Sequence, residues 1–167
     1  MQLISFNIEG FYRNSLYLQQ LISELSPKLI FLQEIWVPYS EEANLNSVFP
    51  TYSVQISTPD QFTPVEDNLG ISEHVWHGSA LLWHESMGAS VVNIKNVHER
   101  FTGIKIRVDG HSLLAISAYL PTSGKDDEYL DCLCQLSNFI TDNTSVHDTV
   151  LIQVQMQTVQ IDQLRAD

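Results

Sequence analysis

The stretch KLIFLQE, at residues 28–34, is a short apolar run that ends in a glutamate. An earlier apolar segment, at residues 2–6, is followed by Asn7, and a segment with helical periodicity lies between the two. This order predicts a strand, a helix and a second strand. Parallel strands joined by a right-handed crossover have their carboxyl ends at the same edge of a sheet. We therefore expect Asn7 and Glu34 to lie together in a crevice of the kind that binds ligands in open α/β sheets.

The rest of the chain continues as a mixture of strands and helices. The first helix is predicted from Ser15 to Leu25, because apolar residues recur there at helical spacing and Pro27 ends the pattern. The Asp109-Gly110 pair between two apolar runs predicts a β-hairpin with a two-residue turn. The remaining predictions are strands at 51–57, 78–83, 89–94, 101–108, 112–119 and 149–152, a long loop at 58–77 and a helix at 125–141.

Composition limits the classes of function. The chain has 167 residues, enough for one domain, and its net charge is −12, from 20 acidic and 8 basic residues. This balance argues against a broad basic surface for nucleic acid. It does not exclude phosphate chemistry, because carboxylates that hold a divalent cation invert the local field. The sequence shows no signal peptide and no transmembrane segment, so we expect an intracellular protein without membrane contact.

Asn7 and Glu34 carry oxygen atoms of the kind that a hard cation such as Mg²⁺ binds. An asparagine that ends a strand often only forms a turn, and a glutamate there often only faces solvent. Tyr119 ends another predicted strand, where its ring could cap the core or its hydroxyl could bind a phosphoryl oxygen. His77 precedes a strand and is either a surface histidine or part of the same site.

Five motifs in order carry a resemblance to a known group of enzymes. They are ISFNI at 4–8, PKLIFLQE at 27–34, HGSALL at 77–82, RF at 100–101 and AYLP at 118–121. This ordered set resembles the endonuclease/exonuclease/phosphatase superfamily. The first half of the chain is similar to the endonuclease domains of non-LTR retrotransposons.

The resemblance implies an α/β fold, a four-layered α/β sandwich of two packed sheets with helices outside. It also implies hydrolysis of a phosphate ester that depends on Mg²⁺ or Mn²⁺. Glu34 and Asn7 match the metal-site residues of the family, and Tyr119 matches the catalytic tyrosine that contacts the phosphate. Asn7, His77 and Arg100 match positions near the substrate.

The resemblance stops after residue 152. The family continues with Gly-Asp-x-Asn, whereas this chain reads QVQM at 153–156 and has five glutamines between 153 and 163. We therefore divide the chain into a partial domain at 1–152 and a Gln-rich divergent tail at 153–167. The resemblance implies that strands of the second sheet come from the region after this point, so we expect that sheet to be incomplete. The later motifs of the family, which supply its general base, are also missing. Loss of a general base typically slows catalysis about 10²–10⁴-fold, so we expect little activity. Two oxygen ligands alone would also hold the cation weakly.

Three hypotheses for function remain open. The first is a truncated, endonuclease-like hydrolase domain with DNA as its partner, located inside the cell, with the nucleus as one candidate location. Other members of the superfamily act on RNA, inositol phosphates or sphingomyelin. The second is a non-catalytic module that binds a protein over an exposed sheet. The third is a mispredicted or frameshifted product that does not fold.

Overall fold

Two four-stranded β-sheets, each with parallel and antiparallel pairs, form the centre of the computed structural model. The structure describes residues 2–58, 63–67, 70–74, 78–95, 98–108, 110–121 and 126–156. The helices are α1 (Phe11–Leu25), α2 (Glu42–Val48) and α3 (Asp126–Asn143). The strands are β1 (Leu3–Asn7), β2 (Leu29–Gln33), β3 (Tyr52–Ser57), β4 (Thr63–Asp67), β5 (Gly70–His74), β6 (Ser79–His84), β7 (Val91–Asn93), β8 (Phe101–Val108), β9 (His111–Leu120) and β10 (Thr149–Met156).

The predicted strand–helix–strand unit is confirmed. β1 and β2 are parallel, with Asn7 opposite Gln33, and α1 connects them. The helix begins at Phe11, four residues before the predicted start, because the buried Phe11 ring and its N–H, which donates to Ile35 O at 2.9 Å, fix the first turn. The first sheet has the order β1-β2-β6-β3.

The second sheet has the order β10-β9-β8-β7. The predicted hairpin is confirmed, since β8 and β9 are antiparallel and Val108 lies opposite His111. Gly110 has a φ of 80°, a conformation that glycine adopts without steric cost. β9, α3 and β10 repeat the strand–helix–strand arrangement, with β9 and β10 parallel.

Alternating side chains of the strands divide the core into three layers of contact. Ile30 and Leu32 pack with residues of α1 and α2 on the outer face of the first sheet. Leu29 and Phe31 face the other way and pack against the second sheet. A third cluster lies between the second sheet and α3. The order helix, sheet, sheet, helix is the predicted four-layered α/β sandwich.

Buried polar side chains also join the two sheets. Gln33 Nε2 donates to Ser117 Oγ at 3.1 Å, and Ser117 Oγ donates to Leu32 O at 2.9 Å. A second bond joins β3 of the first sheet to β8 of the second, because Gln55 Nε2 donates to Thr102 Oγ1 at 2.9 Å. Because a buried polar group is costly without a partner, these bonds favour one alignment of sheet on sheet.

Three further predictions of secondary structure are wrong. The loop predicted at 58–77 contains the antiparallel pair β4 and β5, which forms a separate two-stranded sheet and so needs no alternating apolar face. The strand predicted at 89–94 shortens to β7, because 85–90 form a 3-10 helix whose start is capped by the His84 side chain. The last strand continues to Met156 instead of ending at Ile152, since the backbone keeps its pairing with β9.

Among the described residues, no helix is long and apolar enough to cross a membrane.

Candidate functional site

The ends of β1 and β2 bring Asn7 and Glu34 together. The parallel ladder continues past the strands, with the N–H of Ile8 donating to Gln33 O at 3.0 Å. At this edge Asn7 Nδ2 donates a hydrogen bond to Glu34 Oε1 at 2.8 Å, and both side chains are partly exposed. Asn7 Oδ1 accepts from the N–H of Glu9 at 3.2 Å. The asparagine therefore holds the carboxylate in place at the rim of the first sheet.

The backbone around this pair is strained. Glu9, Glu34 and Trp36 have φ values of 45°, 55° and 52°, which place three non-glycine residues in the left-handed region. Gly10 has a φ of 94°, and a Cβ there would lie 2.8 Å from Trp36 Cε3. Strain of this kind costs about 1–3 kcal/mol per residue and concentrates at active sites and ligand clamps. These outliers are an indication of function that does not depend on the resemblance.

Tyr119 reaches the same carboxylate from the second sheet. Burial raises the pKa of Tyr119, and the charge of Glu34 together with the hydrogen bond to it raises this pKa further. The nearby charge of Arg100 acts in the opposite direction. The phenol is therefore neutral at physiological pH and is a hydrogen-bond donor beside an anion.

Arg100 lies next to Tyr119 along the hairpin, and Arg100 O accepts from the N–H of Tyr119 at 2.8 Å. The guanidinium is buried, and its Nη2 pairs with Glu128 Oε1 at 2.5 Å. Its Nη1 is buried and has no hydrogen-bond partner in the described part of the chain. The N–H of Arg100 donates to His98 Nδ1 at 3.0 Å, and the His98 ring stacks on Phe101 at 4.8 Å. A fixed positive charge thus stands beside the tyrosine.

The donor chemistry of this rim fits a hard cation. Glu34 offers a carboxylate and Asn7 an amide oxygen, and Mg²⁺ commonly binds one or two carboxylates while it keeps several waters. Within the described ranges, no three His, Cys, Asp or Glu side chains lie close enough together to hold a metal ion. The described residues therefore fit a cation site that is completed largely by water.

The structure brings together three of the residues that the sequence singles out. Asn7, Glu34 and Tyr119 meet at one rim, while Arg100 lies beside Tyr119 with its side chain paired to α3. His77 lies outside the described residues. Sequence patterns did not identify Glu128. Its ion pair with Arg100 joins a turn to the first half of α3, and residues so far apart in the chain leave no local sequence pattern.

Asp148 belongs to the other end of the second sheet. It precedes β10, whereas Tyr119 lies opposite Gln155 near the last residue of that strand. Lys105 Nζ donates to Asp148 Oδ2 at 2.7 Å, and this hydrogen bond is the main reason that the pKa of Asp148 falls to about 2. The carboxylate is a partner of Lys105 and is remote from the candidate site.

No protein-family model matches the sequence, and no curated protein matches it significantly. Several solved structures match the fold. A humanized TDP2 from D. rerio has a TM-score of 0.60 at 15% identity, with 92% of this chain and 65% of that chain covered. The 3′ phosphatase NExo from Neisseria, bound to a product DNA hairpin, has a TM-score of 0.62 at 16% identity, with 92% and 56% covered. An AP endonuclease from Archaeoglobus fulgidus has a TM-score of 0.59 at 15% identity, with 92% and 56% covered.

The chain thus spans between about half and two thirds of the length of these proteins. A further match with a TM-score of 0.59 and 13% identity is an endonuclease/exonuclease/phosphatase family protein from Leptotrichia buccalis, with 91% of this chain and 66% of that chain covered. At such identities the agreement is one of fold. It is the fold that the five ordered motifs predicted. The chain therefore has the α/β sandwich fold of the endonuclease/exonuclease/phosphatase superfamily.

Proposed function

We propose that Asn7, Glu34 and Tyr119 form part of a site for phosphate-ester hydrolysis that uses Mg²⁺ or Mn²⁺ and takes DNA as its substrate. One observation carries this proposal. Side chains from both sheets converge on the Glu34 carboxylate, with Asn7 bonded to it at 2.8 Å and the neutral Tyr119 hydroxyl donating to it. An anionic ligand, an orienting amide and a neutral donor are three of the parts that such a site uses.

Each residue has a distinct role in this proposal. The Glu34 carboxylate would hold the cation, and the Asn7 amide would keep the carboxylate oriented. The Tyr119 phenol keeps its single proton, because burial and Glu34 raise its pKa. When a phosphate binds, the hydroxyl would exchange its hydrogen bond to Glu34 for one to a phosphate oxygen. The charge of Arg100 is balanced by Glu128, so Arg100 would contribute its unpaired Nη1 as a donor near the phosphate. A bound divalent cation would stabilise negative charge on the phosphate and lower the pKa of a bound water.

DNA is the substrate that we favour. The N-terminal half resembles retrotransposon endonuclease domains, and two of the similar structures are described with DNA, namely the NExo phosphatase with its DNA hairpin and a D. rerio TDP2 with a single-stranded DNA product. The net charge of −12 predicts a limited affinity for DNA, because contacts between basic residues and phosphates dominate the binding of nucleic acid.

We expect slow hydrolysis by this chain. The sequence has QVQM at 153–156 where the superfamily motif places its aspartate and asparagine. The described residues also include no cluster of three metal-binding side chains. Loss of a general base alone lowers rates by about 10²–10⁴-fold.

Cation binding tests the proposal directly. Mn²⁺ binding would be measured by electron paramagnetic resonance for the unmodified chain, for Glu34→Gln and for Glu24→Gln, which changes an exposed glutamate of α1. We expect Glu34→Gln to lose binding and Glu24→Gln to retain it. Equal binding by all three proteins would remove Glu34 from any metal site.

A nicking assay on supercoiled DNA tests the chemistry separately. We expect weak Mg²⁺-dependent nicking at most, absent in Glu34→Gln and unchanged in Glu24→Gln. Rapid nicking that requires Glu34 would support the site and contradict the expectation of low activity. Nicking that persists in Glu34→Gln would contradict the assignment of the site.

A second candidate function is a protein-binding module without catalysis. It is favoured by the exposed valines of β10, Val150 and Val154, at the edge of the second sheet. Tight binding of a protein together with absent Mn²⁺ binding would favour this candidate over a hydrolase.

A further inference from the structure

Trp36 follows Glu34 by two residues, at the end of the first sheet where the candidate site lies. Its neighbours Ile35 and Val37 are fully buried, so the backbone on both sides of Trp36 is fixed in the core. The Trp36 side chain itself is only half-buried. Part of the indole therefore reaches solvent at the same end of the sheet as Glu34.

Gly10 provides the surface on which this indole lies. A Cβ on Gly10 would lie 2.8 Å from Trp36 Cε3 and 3.3 Å from Trp36 Cζ3, so the six-membered ring packs directly against the glycine. The N–H of Gly10 also donates to Glu34 O at 2.8 Å. One residue of the connection between β1 and α1 therefore contacts both the indole and the backbone of the candidate metal ligand.

The backbone of Trp36 is strained in this position. Its φ of 52° lies in the left-handed region, which costs free energy for a bulky side chain. Because the indole is only half-buried, packing in the core offsets only part of this cost. Strain of this kind concentrates at ligand clamps, and here it presents an aromatic ring beside Glu34.

An aromatic contact suits the charge of this chain. The net charge is −12, and the exposed Glu9 adds a further carboxylate at the same rim, so phosphates are attracted only weakly. Stacking of a nucleobase on an aromatic ring requires no positive charge, and it accepts any base because every base has a π-face. A base offers that face to the protein only when it is unpaired and outside a duplex stack.

We propose that Trp36 stacks on an unpaired base of single-stranded DNA, next to the phosphate held at Glu34 and Tyr119. The inference rests on the proposed function, since it names the kind of DNA that the same site takes. Trp36 holds the strand in register through the base, whereas the other two residues act on the phosphate. Single-stranded DNA is therefore expected to bind more tightly than a duplex of the same sequence.

Fluorescence anisotropy in the presence of Mn²⁺ tests the stack. The probes are a single strand of about ten nucleotides and an abasic oligomer with the same number of phosphates. Trp36→Leu is expected to bind the single strand about ten-fold more weakly and the abasic oligomer with unchanged affinity. Trp36→Phe retains an aromatic ring and should keep most of the affinity. Tyr17→Leu, which removes a ring that is 52% exposed on α1, is the control and should bind both probes like the unmodified chain.

The two probes separate a contact with a base from a contact with the backbone of the DNA. An equal loss of affinity for both probes in Trp36→Leu would overturn the stack, and so would unchanged affinity for the single strand. If neither probe binds to the unmodified chain, the proposed DNA substrate fails together with the stack. If the single strand binds and its binding requires Glu34 but not Trp36, only the stack fails.

Tryptophan emission gives a second measurement in case Trp36→Leu does not fold. The chain has three tryptophans, of which Trp83 is only 5% exposed. The single strand is expected to quench the emission of the unmodified chain more strongly than that of Trp36→Phe, because the stacked indole is absent from this variant. Equal quenching of the two proteins would overturn the proposal.

Discussion

The Tyr119 hydroxyl on the second sheet donates a hydrogen bond to the Glu34 carboxylate, which follows the last residue of a strand in the first sheet. Neither sheet alone forms the candidate site. The residue before Glu34 is Gln33, which bonds to Ser117, two positions before Tyr119. The buried bond between the sheets and the bond at the rim therefore support the same alignment.

Removing the orienting amide should weaken cation binding without abolishing it. Asn7→Ala deletes the 2.8 Å bond to Glu34 and leaves the carboxylate free to rotate. Loss of a group that orients a metal ligand typically lowers affinity about 10–100-fold. A Mn²⁺ titration would measure the change, with Asn138→Ala, at an exposed position of α3, as the control. Equal affinities for the two variants would mean that Asn7 does not position Glu34.

The raised pKa of Tyr119 predicts a loss of stability in alkali. Burial first, and then the charge of Glu34, raise this pKa above its ordinary value of 10.0. The unfolded chain therefore releases the proton at a lower pH than the folded chain. Stability from the neutral phenol is present below about pH 10 and is lost as the pH rises above it. The Tm of the unmodified chain should fall more steeply from about pH 9 to 11 than that of Tyr119→Phe.

Calorimetry at a series of pH values would measure these slopes. Tyr17→Phe, which changes a tyrosine that is 52% exposed on α1, is the matched control and should keep the slope of the unmodified chain. Parallel slopes for the unmodified chain and Tyr119→Phe would contradict the assignment of a buried phenol beside an anion.

Gly10 should be essential to the shape of the rim. Gly10→Ala puts a side chain on a residue with a φ of 94° and places its Cβ 2.8 Å from Trp36 Cε3. We expect a loss of about 1–3 kcal/mol in the free energy of unfolding and weaker Mn²⁺ binding. Gly88→Ala meets no described atom within 4 Å and should change stability by less than about 0.5 kcal/mol. Urea unfolding would compare the two, and similar losses would show that strain at Gly10 is unimportant.

The polar contact between the sheets should contribute to stability away from the site. Gln55 Nε2 donates to Thr102 Oγ1 at 2.9 Å and to Gly103 O at 3.0 Å. Gln55→Ala leaves buried groups without this donor, which costs about 1–3 kcal/mol in the free energy of unfolding. Gln20→Ala, at an exposed position of α1, is the control for the loss of an amide. Urea unfolding that gave equal values for both variants would exclude a stabilising role for the buried amide.

The local pattern of apolar and turn residues in the sequence was sufficient to predict much of the fold. The apolar run before Glu34 and the helical face of α1 predicted the first strand–helix–strand unit, and Asp109-Gly110 predicted the hairpin of β8 and β9. These features depend on neighbouring residues and on the backbone geometry of turns. The pair β4 and β5 was missed because a separate two-stranded sheet does not require an alternating apolar pattern.

The sequence by itself determined where the first two strands end. It thereby placed Asn7 and Glu34 at the same edge, because parallel strands that follow one another have a fixed relative direction. Only the tertiary structure decided that Tyr119 reaches Glu34 and that Arg100 is paired with Glu128. Those contacts join different sheets or a turn to a distant helix. They depend on how the layers pack, which side-chain volume and buried hydrogen bonds set across the whole core.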